Sequence, residues 1–177
     1  MLNSELNFGG PGNKIYVIDT SALIILDYTF PKSNPSFTAV WEEVEEMIRY
    51  GNFRTIDYVV EEINSYEGKE GFLKKWVHDW KKHLVHPTTE ACYNAAIPII
   101  SAEYTSGFFD AKKQAAGQEE ADPYLIAYCK VFDCTLITAE NKTKPNKMPQ
   151  VAMRNGVACM DVNEFIKERG LVMMRRK

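Results

Sequence analysis

Apolar positions follow two different periods along this chain. Residues 14–18, Lys-Ile-Tyr-Val-Ile, form a short unbroken β-rich run, as in a central strand buried on both faces. The run ends at Asp19-Thr20-Ser21, and residues 22–28 then read as a short helix capped by Thr20 or Ser21 and stopped by Pro31. Between 37 and 50, Val40, Trp41, Val44, Met47 and Ile48 repeat at helical spacing, and Gly51 closes that stripe. A strand over 53–56 leads into a helix capped by Asp57 and running to Tyr66. Another helix covers 72–83, with Trp76 and Trp80 on one face as core packing. The helix over 89–104 contains Pro98, where a bend is expected. A short helix fits 111–116, and Asp122-Pro123 opens a helix to Phe132. Strands over 135–138 and 157–160 flank a Lys- and Pro-rich loop, 141–149, and a last helix spans 162–169. Strands interleaved with helices predict an open α/β sheet joined by right-handed crossovers.

Composition narrows the class. The 177 residues suffice for one domain that buries roughly 70% of its unfolded surface. We read 1–13 as a flexible N-terminal arm, 14–170 as a single domain and 171–177 as a basic C-terminal tail. Four cysteines, Cys92, Cys129, Cys134 and Cys159, fall at no metal-ligand spacing and read as free thiols, Cys129 and Cys159 buried. No signal peptide is visible, and the apolar run 95–100 is far short of the roughly 18 residues of a membrane span. A cytoplasmic protein with no membrane partner is expected. A formal net charge of −3 argues against a surface that grips nucleic acid everywhere, but leaves room for a local basic groove.

Candidate chemistry lies in carboxylates. In an open α/β sheet, ligands collect at the carboxyl ends of the strands, where strand order reverses. Asp19 ends the first strand and Glu140 follows the strand at 135–138, so two acids from distant sequence reach the same edge. Two helix acids, Glu62 and Asp122, are placed to join them. Divalent ions held by such a group activate water and stabilise a leaving oxygen in phosphodiester hydrolysis. Without a cation, carboxylates packed together repel and their pKa values rise.

Each acid also has a plain structural reading. Asp19 serves equally as a helix cap, Asp122 before Pro123 is an ideal N-cap, and Glu140 reads as a solvated loop residue. On the helix at 57–66, Val59, Val60, Ile63 and Tyr66 form the inward stripe. Glu62 flanks that stripe and Glu61 points away, though one residue of helix distortion reverses the choice.

In this order the motifs resemble the PIN-domain family. They are Ile18-Asp19-Thr20-Ser21, Val59-Val60-Glu61-Glu62-Ile63, Ala121-Asp122-Pro123-Tyr124-Leu125-Ile126-Ala127 and Leu136-Ile137-Thr138-Ala139-Glu140. The resemblance spans residues 15–165. It implies a three-layer α/β/α fold with a central parallel sheet, and Mg²⁺- or Mn²⁺-dependent cleavage of RNA. The family's acids then map onto Asp19, Glu62 (or Glu61) and Asp122, with Thr20 or Ser21 orienting the first. At the fourth position Thr138-Ala139-Glu140 departs from the family's Thr-x-Asp by a longer side chain. Many similar proteins are toxins held inactive by a small antitoxin, and a homodimer is also a family expectation. The helices over 72–104 are longer than a minimal toxin needs, which suggests a divergent branch.

Lys142, Lys144 and Lys147 follow Glu140 in a loop suited to a phosphate backbone, or simply to solvent. Arg154 and the basic tail are weaker candidates. His78, His83 and His86 lack the i,i+4 spacing of a zinc site. A haloacid-dehalogenase-type phosphatase needs a second acid where Ser21 stands, so its general acid is missing. The remaining alternative is a catalytically inactive PIN-like module that binds RNA or protein.

Overall fold

The computed structural model describes residues 14–66 and 71–171. The expected arm at 1–13 and the tail beyond Leu171 lie outside the described residues. In chain order the elements are β1 (Tyr16–Ile18), α1 (Thr20–Thr29), a 3-10 turn (Pro35–Phe37), α2 (Thr38–Arg49), β2 (Phe53–Ile56) and α3 (Asp57–Ser65). There follow α4 (Phe72–Leu84), β3 (Val85–His86), α5 (Glu90–Glu103), α6 (Ala111–Ala115) and α7 (Ala121–Phe132). The chain closes with β4 (Thr135–Ile137), α8 (Met148–Arg154), β5 (Cys159–Met160) and α9 (Val162–Glu168).

The strands make one parallel sheet in the order β3-β2-β1-β4-β5. Helices flank it, giving the three-layer α/β/α architecture that the alternation of elements predicts. β1 lies at the centre, with Tyr16, Val17 and Ile18 paired to Thr135, Leu136 and Ile137 of β4. Every residue of both strands is buried, as the unbroken apolar run of β1 requires of a strand covered on both faces. From β1 the chain builds outward through β2 to β3, then returns to lay β4 on the opposite side of β1. The order therefore reverses between β1 and β4, and their carboxyl ends form the crevice where α/β sheets bind ligands.

The helical stripe of α2 packs as read: Val40, Trp41, Val44, Met47 and Ile48 are all buried. Trp41 and Trp76 meet edge to face at 5.2 Å, and the Trp41 indole donates to the Phe30 carbonyl (2.6 Å). α5 runs through Pro98 and packs along α7. Besides the 3-10 turn, two elements have no counterpart in the hydrophobic pattern. β3 is two residues long, and α8 is a seven-residue helix that begins inside the expected 141–149 loop.

The expected bounds of α3 are corrected at both ends. Asp57 is the first helical residue of α3 and does not cap it; its carboxylate instead accepts the Thr88 hydroxyl (2.6 Å). Tyr66 is 39% exposed and leaves the inward stripe, because the helix ends at Ser65 and Tyr66 is already extended. Among the described residues no helix is long and apolar enough to cross a membrane.

Candidate active site

Asp19 is delivered by β1. Its N–H still belongs to the sheet, donating to the Ile137 carbonyl of β4 (3.0 Å). Its side chain, in a residue only 3% exposed, accepts the Ala22 N–H (2.6 Å), the Ser21 hydroxyl (2.9 Å to each oxygen) and the Thr138 hydroxyl. The cap of α1 is therefore Asp19, not Thr20 or Ser21. Both hydroxyls are turned elsewhere: Ser21 onto Asp19, Thr20 onto Glu62. Burial pushes the Asp19 carboxyl up to about 7; the hydrogen bonds from Thr138, Ala22 and Ser21 oppose the rise, and the nearby charge of Glu140 adds to it.

Asp122 is the second residue of α7, whose N-cap is Glu120. The plain reading of Asp122 as an N-cap is thereby overturned. Its carboxyl is raised well above the usual range, first by burial, then by the charges of Glu140, Asp19, Glu62 and Glu120. Acids from four separate stretches thus act on one carboxylate.

Glu61 and Glu62 face different surroundings. Glu61 is exposed, while Glu62 is half-buried and accepts the Thr20 hydroxyl. Its other oxygen stands 3.4 Å from Lys113 Nζ. Glu140 accepts the Met148 N–H at the start of α8 (2.8 Å) and lies 3.6 Å from Lys147 Nζ. It is more than a solvated loop residue.

Between these elements lies a cavity of about 410 Å³, lined by Asp122, Glu120, Glu140, Lys147, Phe108 and Phe109 among others. Gly107 fixes one wall. With φ at +79° its backbone favours glycine, a Cβ there would press on Asn146 Nδ2 at 3.2 Å, and the Asn146 amide donates to the Gly107 carbonyl (2.9 Å).

The lysines expected to meet phosphate divide. Lys147 lines the cavity, whereas Lys142 is engaged by Asp161 (2.7 Å) and Glu164 (2.5 Å) at the start of α9. Lys144 is exposed. Sequence reading missed Lys113 and Glu120. Glu120 directly precedes the Ala121-Asp122-Pro123 motif, which was a usable signal; Lys113 sits in a polar stretch with no pattern to mark it.

The donor chemistry, carboxylate and hydroxyl oxygens, fits a hard cation that keeps several waters. Yet among the described residues no three acidic, His or Cys side chains stand grouped as ready ligands for an ion. Glu62 contacts Thr20 and Lys113, and Glu140 contacts Lys147 and the Met148 amide.

Thr138 is the least replaceable of the hydroxyls, because it is buried and donates directly to Asp19. We expect Thr138→Val to cost about 1–3 kcal/mol of stability at neutral pH, the usual penalty for stripping a donor from a buried acceptor. Urea unfolding against wild type measures it, and an unchanged midpoint defeats the assignment.

A family model described as "Domain of unknown function (DUF4411)" matches residues 16–173, a span that includes every acid of the site. The chain belongs to the DUF4411 family. A search of curated proteins finds no match. Among solved structures, this DUF4411 chain is similar to VapBC2 from Rickettsia felis bound to a DNA fragment from its promoter. That likeness has a TM-score of 0.50 and 15% identity, and covers 83% of this chain and 98% of the other. FitAcB from Neisseria gonorrhoeae matches with a TM-score of 0.47 and 17% identity, over 82% and 96% of the two chains. FitAB bound to the IR36 DNA fragment gives 0.49 and 16%, over 83% and 94%. At such identity the likeness is one of fold alone: this chain shares the overall fold of the chain matched in VapBC2.

Proposed function

We propose that this chain is a metal-dependent endoribonuclease, the toxin of a toxin–antitoxin pair. The observation that carries the reading is the convergence of acids from separate stretches: Asp122, Glu120 and Glu140 line one cavity at the edge where the sheet order reverses, and Asp19 and Glu62 stand close enough for their charges to bear on Asp122. A fold that keeps such repulsion in place without a structural need for it has a use for a cation there.

Asp19, Glu62, Asp122 and Glu140 would hold Mg²⁺ or Mn²⁺, which when bound supplies an activated water and neutralises charge on the scissile phosphate. Ser21 and Thr138 orient Asp19, and Thr20 orients Glu62. Lys147 and Lys113, now beside Glu140 and Glu62, become available to phosphate oxygens once those carboxylates have another counter-charge. A small protein antitoxin and a homodimer belong to the same proposal, supported by the likeness in fold to VapBC2.

A second reading, a PIN-like module that binds RNA or protein without cutting, is favoured by one observation: Glu62 and Glu140 already have lysine counter-charges. One experiment separates the two. End-labelled RNA is incubated with the protein in Mg²⁺, in Mn²⁺ and in EDTA. Cleavage is expected with either ion and none in EDTA. Glu62→Gln is expected to lower the rate about a hundredfold or more, while the exposed Glu61→Gln stays within about twofold. RNA that is bound and never cut under any condition would establish the second reading.

A further inference from the structure

A second cavity adjoins the acidic one. It measures about 230 Å³ and shares Phe109 and Glu120 with its neighbour. Its remaining walls include Tyr104, Tyr124, Ile100 and Gln118. This volume lies below the roughly 300 Å³ at which pockets begin to accept drug-sized ligands. It suits one planar ring system and not a helix or a strand.

The walls are built to hold a plane. Tyr124 stacks on Tyr58 at 4.4 Å with an interplanar angle of 11°, and Tyr93 meets it edge to face at 5.6 Å. Both stacked phenols donate to one carboxylate, Tyr58 to Glu119 Oε2 (2.7 Å) and Tyr124 to Glu119 Oε1 (3.4 Å). Tyr124 is thus fixed in orientation before any ligand arrives. Tyr104, by contrast, is 62% exposed at the end of α5, an aromatic side chain with little of its own surface covered.

Besides the tyrosines, the polar side chains lining the pocket are two carboxylates, Glu119 and Glu120, and two amides, Gln114 and Gln118, and Glu119 is already taken by the two phenols. Glu120 Oε1 accepts the Asp110 N–H (2.8 Å), and its other oxygen has no hydrogen bond among the described residues. The Gln118 side chain is exposed at the same rim and offers both a donor and an acceptor.

We propose that this pocket is a nucleobase subsite that accepts one unstacked base of an RNA strand lying across the acidic cavity, and that it selects bases carrying an amino group, guanine foremost. Single-stranded RNA is read in this manner, by stacking on aromatic side chains and hydrogen bonding at the Watson–Crick edge. A carboxylate accepts the imino and amino protons of guanine, and an amide can donate to its carbonyl oxygen. Uracil presents one imino donor between two carbonyl oxygens, which a carboxylate repels. Because the two cavities share Phe109 and Glu120, a base seated here carries its phosphodiester toward Asp122 and Glu140. The proposal rests on the ribonuclease reading for its substrate, but not on cleavage for its test.

The test is equilibrium binding of labelled RNA hexamers in EDTA, so that binding is read apart from cutting. Hexauridine is compared with the same hexamer carrying one internal guanosine, cytidine or adenosine. The guanosine hexamer is expected to bind about tenfold tighter than hexauridine. Tyr104→Ala should cost it about tenfold, as loss of a stacking platform does, and Gln118→Ala should narrow the preference. Both side chains are exposed, so both variants are expected to melt as wild type does. Equal affinity for the four hexamers, no binding to any of them, or a preference untouched by Tyr104→Ala overturns the subsite. A self-associated form that Tyr104→Ala dissociates would assign the aromatic face to a second copy of the chain and also overturn it. Base preference in EDTA with no cleavage in Mg²⁺ or Mn²⁺ would remove the nuclease reading and leave the subsite standing.

Discussion

Asp19→Asn is expected to lower RNA turnover by roughly 10³-fold or more while leaving the melting temperature at neutral pH unchanged or higher. The two halves of this result have separate causes. Turnover falls because an amide is a poor ligand for a hard cation and carries no charge to hold one. Stability survives because the amide oxygen can still accept the Ala22 N–H and keep α1 capped, while the Ser21 and Thr138 hydroxyls can rotate to suit it. What disappears is a buried charge. The Asp19 carboxyl has an ordinary value of 3.8 and sits at about 7 in the folded chain, chiefly through burial. With the folded value above the unfolded one, the group does not oppose folding below about pH 4. Its cost then grows as the unfolded chain ionises first, and levels off above about pH 7, at up to about 4 kcal/mol. The gap in melting temperature between Asp19→Asn and wild type should therefore widen from pH 5 to pH 7.5, as calorimetry without divalent ions can show. A fall of several degrees in the variant at pH 7.5 would make Asp19 a structural residue and sink its catalytic role.

The second large effect is stabilisation by divalent cations. At about a hundred times the dissociation constant, an ion that binds only the folded chain adds about 2.7 kcal/mol, or roughly 5–10 °C for a chain of this size. We expect a rise of that order with Mn²⁺ or Mg²⁺ at pH 7.5 and a much smaller one at pH 5. The sign follows from the carboxyls: Asp19 is raised to about 7 and so is largely protonated at pH 5, and Asp122 is shifted in the same direction, so protons compete with the ion more strongly at the lower pH. Asp122→Asn should remove most of the effect at both pH values. An identical rise at pH 5 and pH 7.5, or one that survives in Asp122→Asn, would place the ion elsewhere.

The sheet was legible because its central strand is unbroken apolar sequence ending in a carboxylate, a pattern that only double burial explains. Glu62 was separable from Glu61 because α3 is regular enough for helix geometry to hold. Where the reading failed, the determining contacts were tertiary. Nothing local says that Asp19 caps α1, since the hydroxyls of Thr20 and Ser21 are withdrawn only by Glu62, distant in sequence, and by Asp19 itself. Asp122-Pro123 looked like a cap because the sequence does not reveal that the helix begins at Ala121. Lys113 was invisible for the same reason: the short helix over 111–116 was legible, but its place beside Glu62 depends on how the segment between α5 and α7 folds back. α8 escaped because a seven-residue helix opening on Met148-Pro149 carries too few turns to declare itself.

Glu140 gives this chain a trait that a shorter acid would lack. Its extra methylene lets one oxygen reach the first amide of α8 while the residue still faces the acidic cavity. Order in the polypeptide leading to that helix is thereby tied to the carboxylate, one oxygen of which fastens the Met148 N–H while the other stands beside Lys147. Hydrogen exchange at that single amide then becomes a reporter of events at the centre, readable without a substrate.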